Sequence, residues 1–151
     1  MVSKNDLRST CLRMLSRKAY FSFELKNKLL DKGFIEKEID IMIHQLQESL
    51  IINDENTFQW YIHDWQIIKK KGKYLLEREL KNKGAESVII KDMIERYYDV
   101  DVDKKTIKEL IKSKVEQKVH EKKAYKHKIA LYLFQRGFAY DQFQKELEEL
   151  K

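Results

Sequence analysis

Leu30-Asp31-Lys32-Gly33-Phe34 recurs, with small changes, as Lys81-Asn82-Lys83-Gly84-Ala85 and as Phe134-Gln135-Arg136-Gly137-Phe138. The glycines are 51 and 53 residues apart. Four residues before each stands a leucine, Leu29, Leu80 or Leu133, and eight before stand Leu25, Leu76 and Ile129. Positions i and i+4 share one face of a helix, so each stretch reads as an apolar helical stripe. Six, ten and thirteen residues beyond the glycines lie Ile39, Ile43, Leu46, then Ile90, Ile94, Tyr97, then Phe143, Leu147, Leu150. These trace a second helical face. A basic residue precedes each glycine, and glycine supplies the left-handed backbone that closes a helix. The repeated element is therefore helix, tight turn, helix.

Upstream of each pair lies a further amphipathic segment: Leu7, Cys11, Leu12, Leu15, then Phe58, Tyr61, Ile62, Trp65, then Ile107, Leu110, Ile111, Val115. Three repeats of three helices follow, at 1–52, 53–99 and 100–151. The predicted helices are 5–18, 23–32, 36–48, 54–70, 74–83, 86–98, 104–122, 125–135 and 140–150. Ser22, Asp103 and the Asn53-Asp54 pair are the expected N-caps, whereas Ile35 and Ala139 are poor ones. Alternation at Val100 and Val102 is too short and too acidic for a strand. The expected fold is all-α, three tandem three-helix repeats in an elongated, curved array that exposes a long surface.

Composition agrees with this reading. The 151 residues include no proline and 4 glycines, with 42% hydrophobic and 37% charged residues, so little turn-forming material is present. Cys11 is the single cysteine, which excludes an intrachain disulfide and a zinc finger and suits a reducing cytosol. No stretch has the length and apolarity of a membrane span, and the first residues lack the apolar run of a signal peptide, so a cytoplasmic location is expected.

Net charge is +6 and the pI near 9.2, which favours nucleic-acid or acidic partners. Between Lys104 and Lys128 ten lysines face three glutamates, a net +7 that leaves the remainder near −1. Lys69, Lys70, Lys71 and Lys73 surround Gly72 at a helix junction, where a turn would present several ammonium groups together. These two basic groups, including Lys112, Lys122, Lys123 and Lys126, are the candidate partner or DNA contacts; a solvated face is the plain alternative. Trp60, Tyr61 and Trp65 can stack on bases, but their helical spacing favours the core.

Catalytic and metal motifs do not assemble. Asp99, Asp101 and Asp103 mimic the start of a calcium loop, yet Lys104 and Leu110 occupy the positions that need glycine and a bidentate glutamate. The expected role is a solvated linker capped by Asp103. His44, His63, His120 and His127 are scattered, without metal-ligand spacing. Phosphate-cradling glycine loops and nucleophile elbows are absent, and Cys11 sits on an apolar stripe as a core thiol. The expectation is a protein that is not an enzyme and needs no cofactor or metal.

Taken together, these residues resemble the RecX regulatory family, bacterial modulators of the RecA recombinase built from tandem three-helix repeats. Leu15-Ser16-Arg17-Lys18, followed by Ser22-Phe23-Glu24-Leu25, is similar to the family's opening, and Leu50-Ile51-Ile52-Asn53-Asp54 to its first junction. Lys71-Gly72, Glu79-Leu80 and Lys83-Gly84 match its strongest block, and Leu133 with Arg136-Gly137-Phe138 its closing helix pair. The likeness spans essentially the whole chain. Three places depart from the pattern: Lys73-Tyr74 replaces a glycine-proline continuation after Gly72, Gln59 replaces a small alanine, and Asp64-Trp65-Gln66 replaces arginines. The resemblance implies a non-enzymatic protein that binds RecA and its nucleoprotein filament and restrains filament growth, ATPase and strand exchange; a monomer with weak affinity for DNA is expected. An autonomous helical module binding DNA or RNA through its lysines is the alternative.

Overall fold

The computed structural model describes residues 4–117 and 125–150. Among them the chain is entirely helical: α1 (Lys4–Arg17), α2 (Ser22–Asp31), α3 (Glu36–Glu48), α4 (Asp54–His63), α5 (Lys73–Asn82), α6 (Ser87–Tyr97), α7 (Val100–Gln117), α8 (Tyr125–Gln135) and α9 (Tyr140–Glu148). A π-helical turn, Asp64–Ile68, extends α4. The expected extension of the seventh helix to residue 122 lies outside the described residues. No described helix is long and apolar enough to cross a membrane.

The three glycine turns share one geometry. Gly33, Gly84 and Gly137 have φ of +93°, +105° and +96°. After each, the next residue turns its amide back onto the leucine four before the glycine: Phe34 to Leu29 at 3.2 Å, Ala85 to Leu80 at 3.0 Å, Phe138 to Leu133 at 3.2 Å. A carbonyl orphaned at the helix end is thereby satisfied, and only glycine enters this backbone region without steric cost. Leu29, Leu80 and Leu133 are fully buried.

The chain forms two compact units, one of residues 1–61 with 80–93 and one of 62–79 with 94–151, so the helices α4, α5 and α6 each contribute to both. In the first unit, Leu7, Cys11 and Met14 of α1 pack with Leu25, Leu29, Phe34, Ile39, Ile43, Leu46 and Ile52. Burial pushes the Cys11 thiol pKa up, as for an inert core sulfur. Leu12, expected on this face, is exposed; Met14, one turn beyond Cys11, takes the inward position. Phe21 stacks on Phe23 with ring centroids 4.9 Å apart and lies 4.5 Å from Phe58, fastening the start of α2 to α4.

Ser22 does not cap α2. It is the first helical residue, preceded by Phe21, and its amide donates to Asp54 Oδ1 at 2.7 Å while its hydroxyl donates to Asp54 Oδ2. Asn53 does cap α4, accepting the Asn56 amide at 3.2 Å. Glu24, one turn into α2, is buried and meets the Lys83 ammonium at 2.8 Å. The basic residue before Gly84 thus compensates a buried carboxylate.

In the second unit, Ile107 and Ile111 of α7 pack with Tyr125, Ile129, Leu133, Phe138, Phe143 and Leu147. The acidic segment before α7 is not the expected solvated linker. The helix begins at Val100, Asp99 accepts the Asp101 amide at 2.9 Å, and Asp103 points inward and is buried. Its carboxylate accepts from Gln66 Nε2 at 3.0 Å, Gln142 Nε2 at 3.2 Å and the Tyr98 hydroxyl at 2.5 Å. Those donors satisfy a charge that would otherwise be costly to bury. Trp65 is core as expected, whereas Trp60 is 75% exposed. Five residues apart on a helix point about 140° apart, so one face cannot hold both.

Burial raises the Asp103 carboxyl pKa above its ordinary 3.8, and the bonds from Tyr98, Gln66 and Gln142 offset part of that rise. The native state therefore holds this proton to higher pH than the unfolded chain does. Its contribution to stability falls as pH rises from the ordinary carboxylate value through the raised one. Asp103→Asn should cost about 1–3 kcal/mol, because the amide keeps one accepting oxygen where both carboxyl oxygens accept from Gln66, Gln142 and Tyr98. Urea unfolding across this pH range should show the gap between wild type and variant narrowing as pH rises. A gap independent of pH would contradict the assignment.

Candidate partner-binding surface

The Lys69–Lys73 cluster occupies a turn whose backbone is fixed on several sides. The π-helical turn ends with the Lys69 amide donating to the Asp64 carbonyl at 3.0 Å. Lys70 then enters the left-handed region at φ +54°, and the Lys71 amide returns to the Trp65 carbonyl at 3.2 Å. Trp65 closes the loop from beneath, its indole N–H donating to the Gly72 carbonyl at 2.9 Å.

The turn between α8 and α9 clamps the same loop. The Gly72 amide donates to the Arg136 carbonyl at 2.7 Å and the Tyr74 amide to the Gly137 carbonyl at 3.2 Å. The Arg136 guanidinium donates through Nε to the Lys70 carbonyl at 3.0 Å and through Nη2 to the Lys69 carbonyl at 2.6 Å. Gly72 and Gly137 meet back to back: a Cβ on Gly72 would stand 2.3 Å from the Gly137 carbonyl oxygen. Two glycines are needed because two backbones touch.

This scaffold leaves Lys69, Lys70 and Lys73 exposed, with Lys71 half-buried. The Lys69 and Lys71 ammoniums each lie 5.4 Å from the centre of the Trp65 ring, within range of cation–π attraction. Packing several like charges into one turn costs repulsion in isolation, and that cost is relieved opposite an anionic surface.

The remaining candidates are placed differently. Lys112 is exposed on α7 in a groove with Lys108, Glu116, Glu146 and Glu149, where mixed signs dilute the field. Lys126 is half-buried at the start of α8, where Lys128 is exposed. Lys122 and Lys123 lie outside the described residues, as does His120. His44 is exposed beside Glu48, 3.0 Å away, and His63 and His127 are also exposed. Among the described residues no three His, Cys, Asp or Glu side chains gather as metal ligands.

Sequence reasoning did not find Arg136 as the clamp. Its position before Gly137 marked only a helix end, and the bonds it makes span 66 and 67 residues.

Comparison with known proteins agrees with the fold and the motifs. Residues 8–46 match the family described as "RecX, first three-helix domain". The "Regulatory protein RecX" of Caldanaerobacter subterraneus subsp. tengcongensis is 27% identical over 97% of this chain and 71% of its own length. That of Finegoldia magna is 30% identical over 86% of this chain and 64% of its own length, and that of Bacillus cereus 28% over 88% and 52%. The chain thus spans between about half and seven tenths of these relatives. The crystal structure of RecX from Lactobacillus salivarius superposes with a TM-score of 0.83 over 97% of both chains at 22% identity, a likeness of fold. With the glycine turns, their buried leucines and these matches together, residues 8–46 carry the first three-helix domain of the RecX family, and along its length the chain is similar to RecX regulatory proteins.

Proposed function

We propose that this chain binds the RecA recombinase and its nucleoprotein filament and restrains filament growth, and with it ATPase and strand exchange, without catalysing a reaction itself. Similarity to proteins named as regulatory supports the reading. The observation that carries the contact assignment is the turn at Lys69–Lys73: an exposed basic group on a backbone held by Trp65, Arg136 and Gly137. A pre-formed charged turn loses little entropy on binding and speeds encounter with an acidic or phosphate-bearing face. The division into repeats at 1–52, 53–99 and 100–151 belongs to the same proposal, as do a monomeric state, a cytoplasmic location and weak contact with DNA.

Replacing Lys69, Lys71 and Lys73 with glutamate tests the contact. Circular dichroism should show the helices intact, and filament binding should weaken at least tenfold at low salt, with a flatter salt dependence than wild type. Unchanged affinity would return the cluster to a solvated loop and move the contact to the lysines of α7 and α8.

A further inference from the structure

Beside the basic turn, the second unit carries a groove of about 630 Å³ lined by Tyr74, Leu75 and Arg78 of α5 and by Phe134, Gln135 and Tyr140 across the α8–α9 turn. Tyr74 is 60% exposed, Phe134 63% and Tyr140 55%. Three large aromatic side chains left in solvent around one depression are not needed by the core, which is filled by Phe138, Phe143 and Leu133. Tyr140 is held edge-on to Phe143, with ring centroids 5.5 Å apart, so its ring is braced from within.

The chemistry of the walls distinguishes between occupants. A groove for an amphipathic protein helix presents a continuous apolar floor to anchors three and four residues apart. Here the exposed groups are flat rings, and beside the Tyr74 and Tyr140 hydroxyls the polar groups among them are the Arg78 guanidinium and the Gln135 amide, with no carboxylate in the described lining. Arg78 stands one helical turn from Tyr74, on the same face of α5. Aromatic faces flanked by a guanidinium suit unpaired bases that stack while a phosphate meets the cation. Paired bases keep their faces covered, so a duplex offers the rings nothing to stack on.

We propose that this groove is a subsite for single-stranded nucleic acid, with Tyr74, Phe134 and Tyr140 stacking on bases and Arg78 engaging the backbone. It deepens the regulator reading by naming a second ligand of the same face, and rests on that reading only for its setting in a nucleoprotein filament.

The test uses the intact chain without recombinase and a fluorescein-labelled oligothymidylate, read by anisotropy, against a duplex of equal length. The single strand should bind more tightly. Phe134→Leu and Tyr140→Leu, which keep apolar bulk but remove the ring, should each weaken it about 5- to 100-fold with the salt slope retained. Phe134→Trp should restore the affinity, which a merely unfolded variant would not. Equal binding by the leucine variants and wild type, or by duplex and single strand, would overturn the proposal. So would leucine variants that hold the oligonucleotide normally but lose filament binding, since the groove would then take a protein side chain. If the proposal fails while wild type still restrains recombinase ATPase, the regulator reading stands. If the oligonucleotide results hold and ATPase is unaffected, that reading alone fails.

Discussion

Gly72→Ala should destabilise the second unit by about 2–6 kcal/mol. The added methyl would stand 2.3 Å from the Gly137 carbonyl oxygen, 2.4 Å from its carbonyl carbon and 2.6 Å from the Phe138 amide nitrogen, all backbone atoms that no rotamer change can move. Separating the two turns sacrifices the Gly72 to Arg136 and Tyr74 to Gly137 hydrogen bonds, about 0.5–1.5 kcal/mol each, on top of about 1–3 kcal/mol of overpacking. Gly33→Ala is the control. It shares the positive φ of the other turn glycines, but nothing lies within 4 Å of its would-be Cβ. Only the left-handed strain remains there, about 1–2 kcal/mol. Urea unfolding of both variants should separate them in that order. Comparable losses would mean that the back-to-back contact does not form.

Leu→Ala at position 29, 80 or 133 should cost about 2–5 kcal/mol at each site. All three side chains are fully buried, and each sits where its own carbonyl receives the amide that closes the glycine turn. Truncation therefore leaves a cavity directly beneath the junction of two helices. Leu→Met at the same positions nearly conserves volume and should cost less than about 1.5 kcal/mol. Denaturant midpoints of the paired variants measure the difference. A cost below about 1 kcal/mol for the alanine variants would show that these positions are not equivalent core anchors.

The parts of the fold legible in the sequence are those governed by neighbours along the chain. Glycine at a helix end, with a leucine four before and an isoleucine or phenylalanine six beyond, is a local constraint, and helix boundaries came within a few residues. Asp103 shows where such reasoning stops. Its acidic surroundings read as a solvated cap, because its donors Gln66 and Gln142 lie 37 and 39 residues away. The π-helical turn at Asp64–Ile68 left no periodic trace that separates it from the α-helix before it. Similarly, the lysines around Gly72 were visible as charge, but the rigidity that makes them a candidate surface is supplied by Arg136 and Gly137 on the far side of the unit's sequence. The groove aromatics escaped notice because Tyr74, Phe134 and Tyr140 are spread over three helices.

Titrating the chain into cognate recombinase turning over ATP on single-stranded DNA tests the central claim most directly. A regulator that restrains filament growth should lower ATPase at amounts well below one per recombinase protomer, because each bound molecule affects many protomers. Inhibition that appears only near saturation and disappears when excess DNA is supplied would contradict it, and would mark the protein as an autonomous nucleic-acid module competing for the strand.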